Sequence, residues 1–182
     1  MGIHKIKIIS NNICYGPGPY PTSEVEQHLT ISETGQVWVS RYNYGQELGK
    51  YELSSMEKFS IVEEYATKIL NAIDIYFGSN PVNIFVTDIG TWDLIITGDD
   101  EERIYKGSLC SSFEVDGVDL SDLIRGTLGI ENLFVFDGNY KPDRVEKITI
   151  HYHRVSKIKP KVPVKKTVEY VTWDYSEQLV LE

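Results

Sequence analysis

LFVFDGNYKPDRVEKITIHYHRVSKI, residues 133–158, holds the longest strand-like pattern in the chain. It opens apolar, with Leu133, Phe134, Val135 and Phe136, then turns at Asp137-Gly138-Asn139, residue types suited to tight or left-handed backbone. From Val145 to Val155 two sets alternate. Val145, Lys147, Thr149, His151, His153 and Val155 form one; Glu146, Ile148, Ile150, Tyr152 and Arg154 form the other. A period of 2 rich in β-branched and aromatic residues predicts a strand, here a central one with Ile148, Ile150 and Tyr152 facing inward.

The rest of the chain supplies partners for such a strand. Residues 3–9 (IHKIKII) alternate weakly and predict a first strand. Gly16-Pro17-Gly18-Pro19-Tyr20-Pro21 forbids helix and central strand alike, so a stiff loop with an aromatic tip follows. Glu24–Ser32 and Gln36–Tyr42 flank Glu33-Thr34-Gly35 and predict a hairpin. A short extended piece is expected at Lys50–Leu53. Ser54–Phe77 reads as one long helix: Ser54 and Glu57 have capping-box spacing. Val62, Tyr65, Ala66, Ile69, Leu70, Ile73, Tyr76 and Phe77 recur at helical spacing, and Gly78 and Pro81 mark the stop. Val82–Thr87, Trp92–Thr97 and Arg103–Leu109 read as strands. Leu120–Leu128 reads as a short helix capped by Asp119 or Ser121 and ended by Gly129. This order predicts an α+β fold: a mainly antiparallel sheet with one long helix packed on one face and a short second helix. Residues 1–158 would form a single domain. Residues 159–182 would be a basic, proline-containing extended linker and a C-terminal aromatic strand or tail.

A chain of 182 residues is long enough for a hydrophobic core. No apolar run has the length of a membrane span, and residues 1–10 (MGIHKIKIIS) are too short and strand-like for a signal peptide. Ile6 stands where a myristoylation motif needs Ser or Thr. Cys14 and Cys110 are far apart and outside any CxxC, which points to reduced thiols and a cytoplasmic location.

The net charge of −9 is segregated. Residues 1–140 hold nine Lys and Arg against twenty-one Asp and Glu, a net −12. Residues 141–166 hold nine against two, a net +7, and residues 167–182 carry −4. Such a split suits a protein that meets two unlike partners.

Motifs for turnover are missing: there is no GxSxG, Walker loop or GxGxxG, which argues against an enzyme. His151 and His153 share one face of their strand, as in some metal sites, with His4, His28, Asp137 and Asp143 as the other conceivable ligands. Nothing in the spacing brings these together, so no metal or cofactor is assigned; the same imidazoles would equally serve a basic solvent face. Asp88, Asp93, Asp137 and Asp143 are too ordinary in so acidic a chain to mark acid–base pairs. Two charge clusters remain. Asp99, Asp100, Glu101 and Glu102 place four carboxylates at one hairpin tip: a soluble turn, or a phosphate-like patch for a basic cleft. Lys141, Arg144, Lys147, Arg154, Lys157, Lys159, Lys161, Lys165 and Lys166 form a basic strip: a solubilising rim, or a phosphate-contacting one.

Five stretches carry a family resemblance: residues 16–45 (GPGPYPTSEVEQHLTISETGQVWVSRYNYG), 86–109 (VTDIGTWDLIITGDDEERIYKGSL), 119–139 (DLSDLIRGTLGIENLFVFDGN), 143–155 (DRVEKITIHYHRV) and 172–180 (TWDYSEQLV). Together they resemble a clostridial and Firmicutes family of small proteins that includes a type II anti-CRISPR protein. The resemblance implies an inhibitor that binds the RNA-guided effector nuclease with its guide RNA, in the cytoplasm of a bacterial host, with DNA as a further candidate partner. It carries over no functional residues. Charge alone would then place Asp99, Asp100, Glu101 and Glu102 against the nuclease, and Arg154, Lys157, Lys159, Lys161, Lys165 and Lys166 against nucleic acid. The competing readings are a metal-dependent enzyme using His151 and His153, and a nucleic-acid-binding module, for which the net charge has the wrong sign.

Overall fold

The computed structural model describes residues 2–14, 19–45, 49–79, 85–99 and 101–138, and the backbone of 148–156 and 173–181. The chain divides into two units, Met1–Tyr140 and Lys141–Glu182.

The first unit is built on a six-stranded antiparallel sheet. Its strands are β1 (Ile3–Asn11), β2 (Glu24–Ser32), β3 (Gln36–Tyr44), β4 (Tyr51–Ser60), β5 (Thr91–Gly98) and β6 (Glu102–Ser108). They lie in the order β4-β3-β2-β1-β5-β6. Among the described residues of this unit, two helices, α1 (Glu63–Ser79) and α2 (Leu120–Leu128), and a small hairpin of β7 (Glu114–Val115) and β8 (Val118–Asp119) accompany the sheet. The α+β expectation is overturned: strands dominate, and α1 has 17 residues. The cause is local. Residues Ser54–Ser60, expected as the start of the long helix, continue the extended piece expected at Lys50–Leu53 and form β4, with Val37 opposite Phe59 and Val39 opposite Glu57. The Ser54–Glu57 capping pattern therefore sits inside a strand. Helix begins only after Val62, whose carbonyl accepts from Tyr65 and Ala66. A ladder along a whole strand outweighs one cap and two turns of helical spacing, since propensity is a weak prior.

Alternation decides the two faces of the sheet. Ile6, Ile8, Leu29, Ile31, Val37, Val39, Trp92, Leu94 and Ile96 point inward and are buried against Ala66, Ile69, Leu70, Ile73 and Phe77 of α1 and Leu120, Ile124 and Leu128 of α2. Each fully buried aliphatic side chain contributes roughly 1.5–3 kcal/mol. Val62 and Tyr65 of the expected stripe are exposed instead. At the centre four rings pack edge to face: Trp92 lies 5.5 Å from Phe113 and 5.2 Å from Phe136, and Phe77 lies 5.3 Å from Phe113. α2 matches its sequence reading residue for residue. Asp119 is the N-cap, accepting from the Ser121 and Asp122 N–H groups, and Gly129 at φ 66° ends it.

The opening segment is not strand. Leu133, Val135 and Phe136 are buried, but residues 133–138 form turn and coil. Their backbone groups, which need partners once buried, find side chains. The Gln27 amide donates to the Asn132 carbonyl at 2.9 Å and accepts from the Phe134 N–H at 2.7 Å. Ser10 Oγ donates to the Val135 carbonyl at 2.6 Å. Buried Arg125 donates through Nε to the Leu133 carbonyl at 2.8 Å and pairs with Asp137. Val135 is held at φ 46°, left-handed backbone that a β-branched residue rarely adopts.

The second unit contains β9 (Ile148–Ser156) and β10 (Trp173–Leu181), an antiparallel pair with Ile148 opposite Leu181 and Ser156 opposite Trp173. The strand expected at the centre of the main sheet is therefore a member of a two-stranded one. Its period of 2 specified a strand but not a neighbour. Of the strand expected at Val82–Thr87, residues 85–87 are coil and turn and 82–84 lie outside the described residues.

Candidate functional site

The acidic tip is part of a clamp that joins three segments of the first unit. Gly98 N–H donates to the Glu101 carbonyl at 3.0 Å and closes the β5–β6 turn. Antiparallel pairing places Ile3 beside Gly98 and Lys5 beside Ser32, so His4 stands between this turn and the β2–β3 turn. Its Nδ1 lies 2.9 Å from Glu33 Oε1 and its Nε2 lies 2.6 Å from Asp99 Oδ1. An ionised carboxylate only accepts, so serving both requires a proton on each ring nitrogen, that is, an imidazolium. The bond to Glu33, then that to Asp99, holds the His4 pKa above its ordinary value. The Gly2 N–H, 3.1 Å from Asp99 Oδ2, and then His4 hold the Asp99 carboxyl below its ordinary range. Beside the clamp, Arg103 donates to Asp74 Oδ1 at 2.7 Å and lies 3.6 Å from Glu101. Asp74, Asp99, Glu101 and Arg103 line a shallow cleft of about 230 Å³.

Of the four tip carboxylates, Asp99 is thus held by His4 and Gly2, Glu101 sits near Arg103, Glu102 is exposed at the start of β6, and Asp100 lies outside the described residues. The arrangement presents Asp99, with both its oxygens engaged, beside the more exposed Glu101. Nothing in the spacing of residues 4, 33, 74, 99 and 103 signals that they meet; only the sheet order and register bring them together.

Of the basic strip, Arg154 lies on β9 opposite Tyr175. Lys157, Lys159, Lys161, Lys165 and Lys166 lie outside the described residues. His151 and His153 occupy β9 opposite Gln178 and Ser176. Among the described residues, carboxylates gather at metal-ligand distances at Asp119, Asp122 and Asp137. Two of the three are paired with a guanidinium: Arg125 Nη1 donates to Asp122 at 3.1 Å and to Asp137 at 3.0 Å. Asp119 is committed to capping α2 and accepts from Ser112 Oγ at 2.8 Å.

The second surface feature is the sheet face opposite α1. Lys58 lies 5.2 Å above the Trp38 ring, within cation–π reach. The rings of His28 and Tyr42 are 4.7 Å apart. Burial raises the Glu26 pKa, but hydrogen bonds from His28 at 2.8 Å and Asn11 at 2.9 Å outweigh it, and the net shift is downward. Trp38, His28, Tyr42, Glu26 and Asn11 are half-buried, and Lys58 is exposed. Among the described residues, no helix is long and apolar enough to cross a membrane.

No protein-family model matches this chain, and no curated protein matches it in sequence.

Proposed function

We propose that this chain acts by stoichiometric binding rather than turnover, as an inhibitor of a type II RNA-guided DNA nuclease in the bacterial cytoplasm. The observation that supports it is a coincidence of boundaries. The change of charge after residue 140 falls where the chain divides into its two units. The acidic unit carries −12, and all nine cations of the basic strip fall in the second unit, residues 141–182. A type II effector holds guide RNA and DNA in strongly positive channels and reads its short recognition sequence with arginines. An acidic unit is drawn to such a channel by long-range attraction, and a basic unit to the nucleic acid it carries. In this reading Asp99, Asp100, Glu101 and Glu102 face the nuclease, with His4 and Gly2 holding Asp99 in place, and the Arg154–Lys166 strip faces guide RNA or target DNA.

The test is DNA cleavage and target binding by a guide-loaded type II effector with this protein titrated in. Inhibition saturating near one protein per effector supports the reading, and loss of target binding together with cleavage identifies the blocked step. Several orthologous effectors unaffected at excess protein would refute it. Reversal of Asp99, Asp100, Glu101 and Glu102 to lysine then tests the tip. Unchanged potency in a variant with wild-type circular dichroism removes the tip from the interface.

A further inference from the structure

Between α1, α2 and the β7–β8 hairpin lies a groove of about 710 Å³, and every residue that lines it is a described one. Its floor is apolar: Ala72 is buried, and Val115 and Leu123 are partly buried where they pack on the hydrophobic core. Its walls are apolar and exposed. Tyr65 and Ile75 of α1 are 53% and 57% exposed, and Val118 of the hairpin is 46% exposed. The hairpin wall is held by its turn. Asp116 at φ 53° and Gly117 at φ 77° are both left-handed, as a tight two-residue hairpin turn requires. Val115 and Val118 stand directly opposite one another, so their side chains share a face, and both line the groove.

Charge and length define what fits there. The elements around the groove, α1, residues 114–119 and α2, carry seven Asp and Glu against Lys68 and Arg125, a net −5. Arg125 is buried in its ion pairs with Asp122 and Asp137 and is not part of the lining. Glu64 and Asp116 line the groove with Lys68 as the one cation among them. The stem of an exposed lysine can extend an apolar wall while its ammonium stays in water. The groove is thus apolar inside with carboxylates around it, a combination that selects an apolar occupant carrying positive charge. From Glu64 to Ile75 it follows eleven residue steps of α1, a length of about 16 Å, or roughly three turns of a helix laid alongside. β7 and β8 have two residues each, too few to offer an extended peptide a ladder. A helix placed in a groove needs no ladder, because its backbone hydrogen bonds are internal.

We propose that this groove is a docking site for a cationic amphipathic helix of a partner protein. The apolar face of that helix rests on Ala72, Val115 and Leu123 between Ile75 and Val118, and its lysines or arginines meet Glu64 and Asp116. The inference goes beyond the inhibitor reading: it involves neither the acidic tip nor the basic strip, and it is tested without a nuclease.

The probe is a synthetic helix two heptads long, leucine on one face and lysine on the other, titrated into the full chain by calorimetry and by amide NMR shifts. Binding should saturate at one peptide per chain, with the shifts concentrated over Glu64–Ile75 and Val115–Leu123. Two control peptides separate the terms: one of the same composition with its leucines scrambled off a single face, and one with glutamate in place of lysine. Each should bind at least about tenfold more weakly. Ile75→Ser with Val118→Ser removes exposed apolar groups without entering the core; it should leave the circular dichroism unchanged and weaken binding about tenfold. Glu64→Gln with Asp116→Asn removes the charge while keeping a residue suited to the left-handed turn position. It should weaken binding of the lysine peptide severalfold and leave that of a glutamine-faced analogue unchanged, and it decides the matter if the serine variant does not fold. No saturable binding at about millimolar peptide overturns the proposal. So do shifts spread across the acidic unit instead of the groove, a scrambled or glutamate peptide bound as tightly, and a folded serine or amide variant that binds the lysine peptide like the wild type.

Discussion

Gly107→Ala isolates the packing around Trp92, because general propensity and local geometry predict opposite signs for it. In a strand interior, alanine in place of glycine ordinarily stabilises by roughly 0.5–1 kcal/mol, since glycine loses more freedom on folding. Gly107 lies directly opposite Trp92 in the β5–β6 ladder. A Cβ there would stand 2.3 Å from Trp92 Cζ2 and 2.6 Å from Cε2. The indole cannot swing aside cheaply. It is 1% exposed, packs on Phe77, Phe113 and Phe136, and its Nε1 donates to the Ser108 carbonyl at 3.0 Å and to Ser111 Oγ at 3.2 Å. Overpacking of this kind costs about 1–3 kcal/mol, and a displaced indole hydrogen bond costs a further ~1 kcal/mol. The net expectation is a loss of roughly 2–3 kcal/mol, equivalent to a fall in Tm of about 5–10 °C for a chain of this size. Urea and thermal unfolding followed by tryptophan fluorescence and circular dichroism measure it. Gly126→Ala is the control. Its Cβ would meet nothing within 4 Å on helix α2, so it should stabilise by about 1 kcal/mol. A Gly107→Ala protein as stable as wild type would refute the claim that the indole is locked. A locked indole also predicts that Gly107→Ala costs less when Trp92 is replaced by Phe.

Further outcomes follow from the other contacts. Arg125→Met should destabilise by about 3–5 kcal/mol, because it breaks a buried ion pair and removes a donor from the Leu133 carbonyl; denaturant titration measures this, and a loss below ~1 kcal/mol would show that residues 133–137 do not depend on Arg125. The raised His4 pKa means that the clamp's contribution is fully present below His4's ordinary value of 6.5 and is lost as pH rises through the folded-state pKa. The lowered Asp99 pKa means that its share is present above its ordinary 3.8 and lost as pH falls through the folded-state value. The Tm difference between wild type and His4→Gln should thus be greatest between those two ordinary values and shrink at alkaline pH; a difference independent of pH would remove the imidazolium from the account. Because the clamp is solvent-exposed, the same difference should also diminish in 1 M salt.

Much of the fold was legible in the residues. The β2–β3 hairpin was readable because Glu33-Thr34-Gly35 separates two alternating runs, and Gly35, at φ 77°, occupies a turn position that favours glycine. α2 was readable because both its caps are local: Asp119 reaches N–H groups two and three residues on, and Gly129 ends the helix. β4 was misread for the converse reason. Ser54, Glu57 and the later apolar stripe satisfied helical templates, while the interaction that makes Tyr51–Ser60 a strand comes from β3, across an intervening loop. The candidate site was half legible: the four carboxylates of the tip stand side by side in sequence, but His4, Glu33 and Arg103 reach them only through the sheet.

What the sequence by itself determined is therefore local or additive: the alternation of buried and exposed positions, the turns, the caps of α2, and the change of charge after residue 140. What only the tertiary structure decided is which strands are neighbours. That choice depends on contacts between residues far apart in the chain. It sets β9 beside β10, gathers His4, Glu33 and Asp99 into one clamp, and pairs Arg125 with both Asp122 and Asp137. A period of 2 directs a side chain to one face of a sheet, but it carries no information about which strand lies alongside; burial of both partners' apolar faces settles that, and it does so only once the whole chain has collapsed.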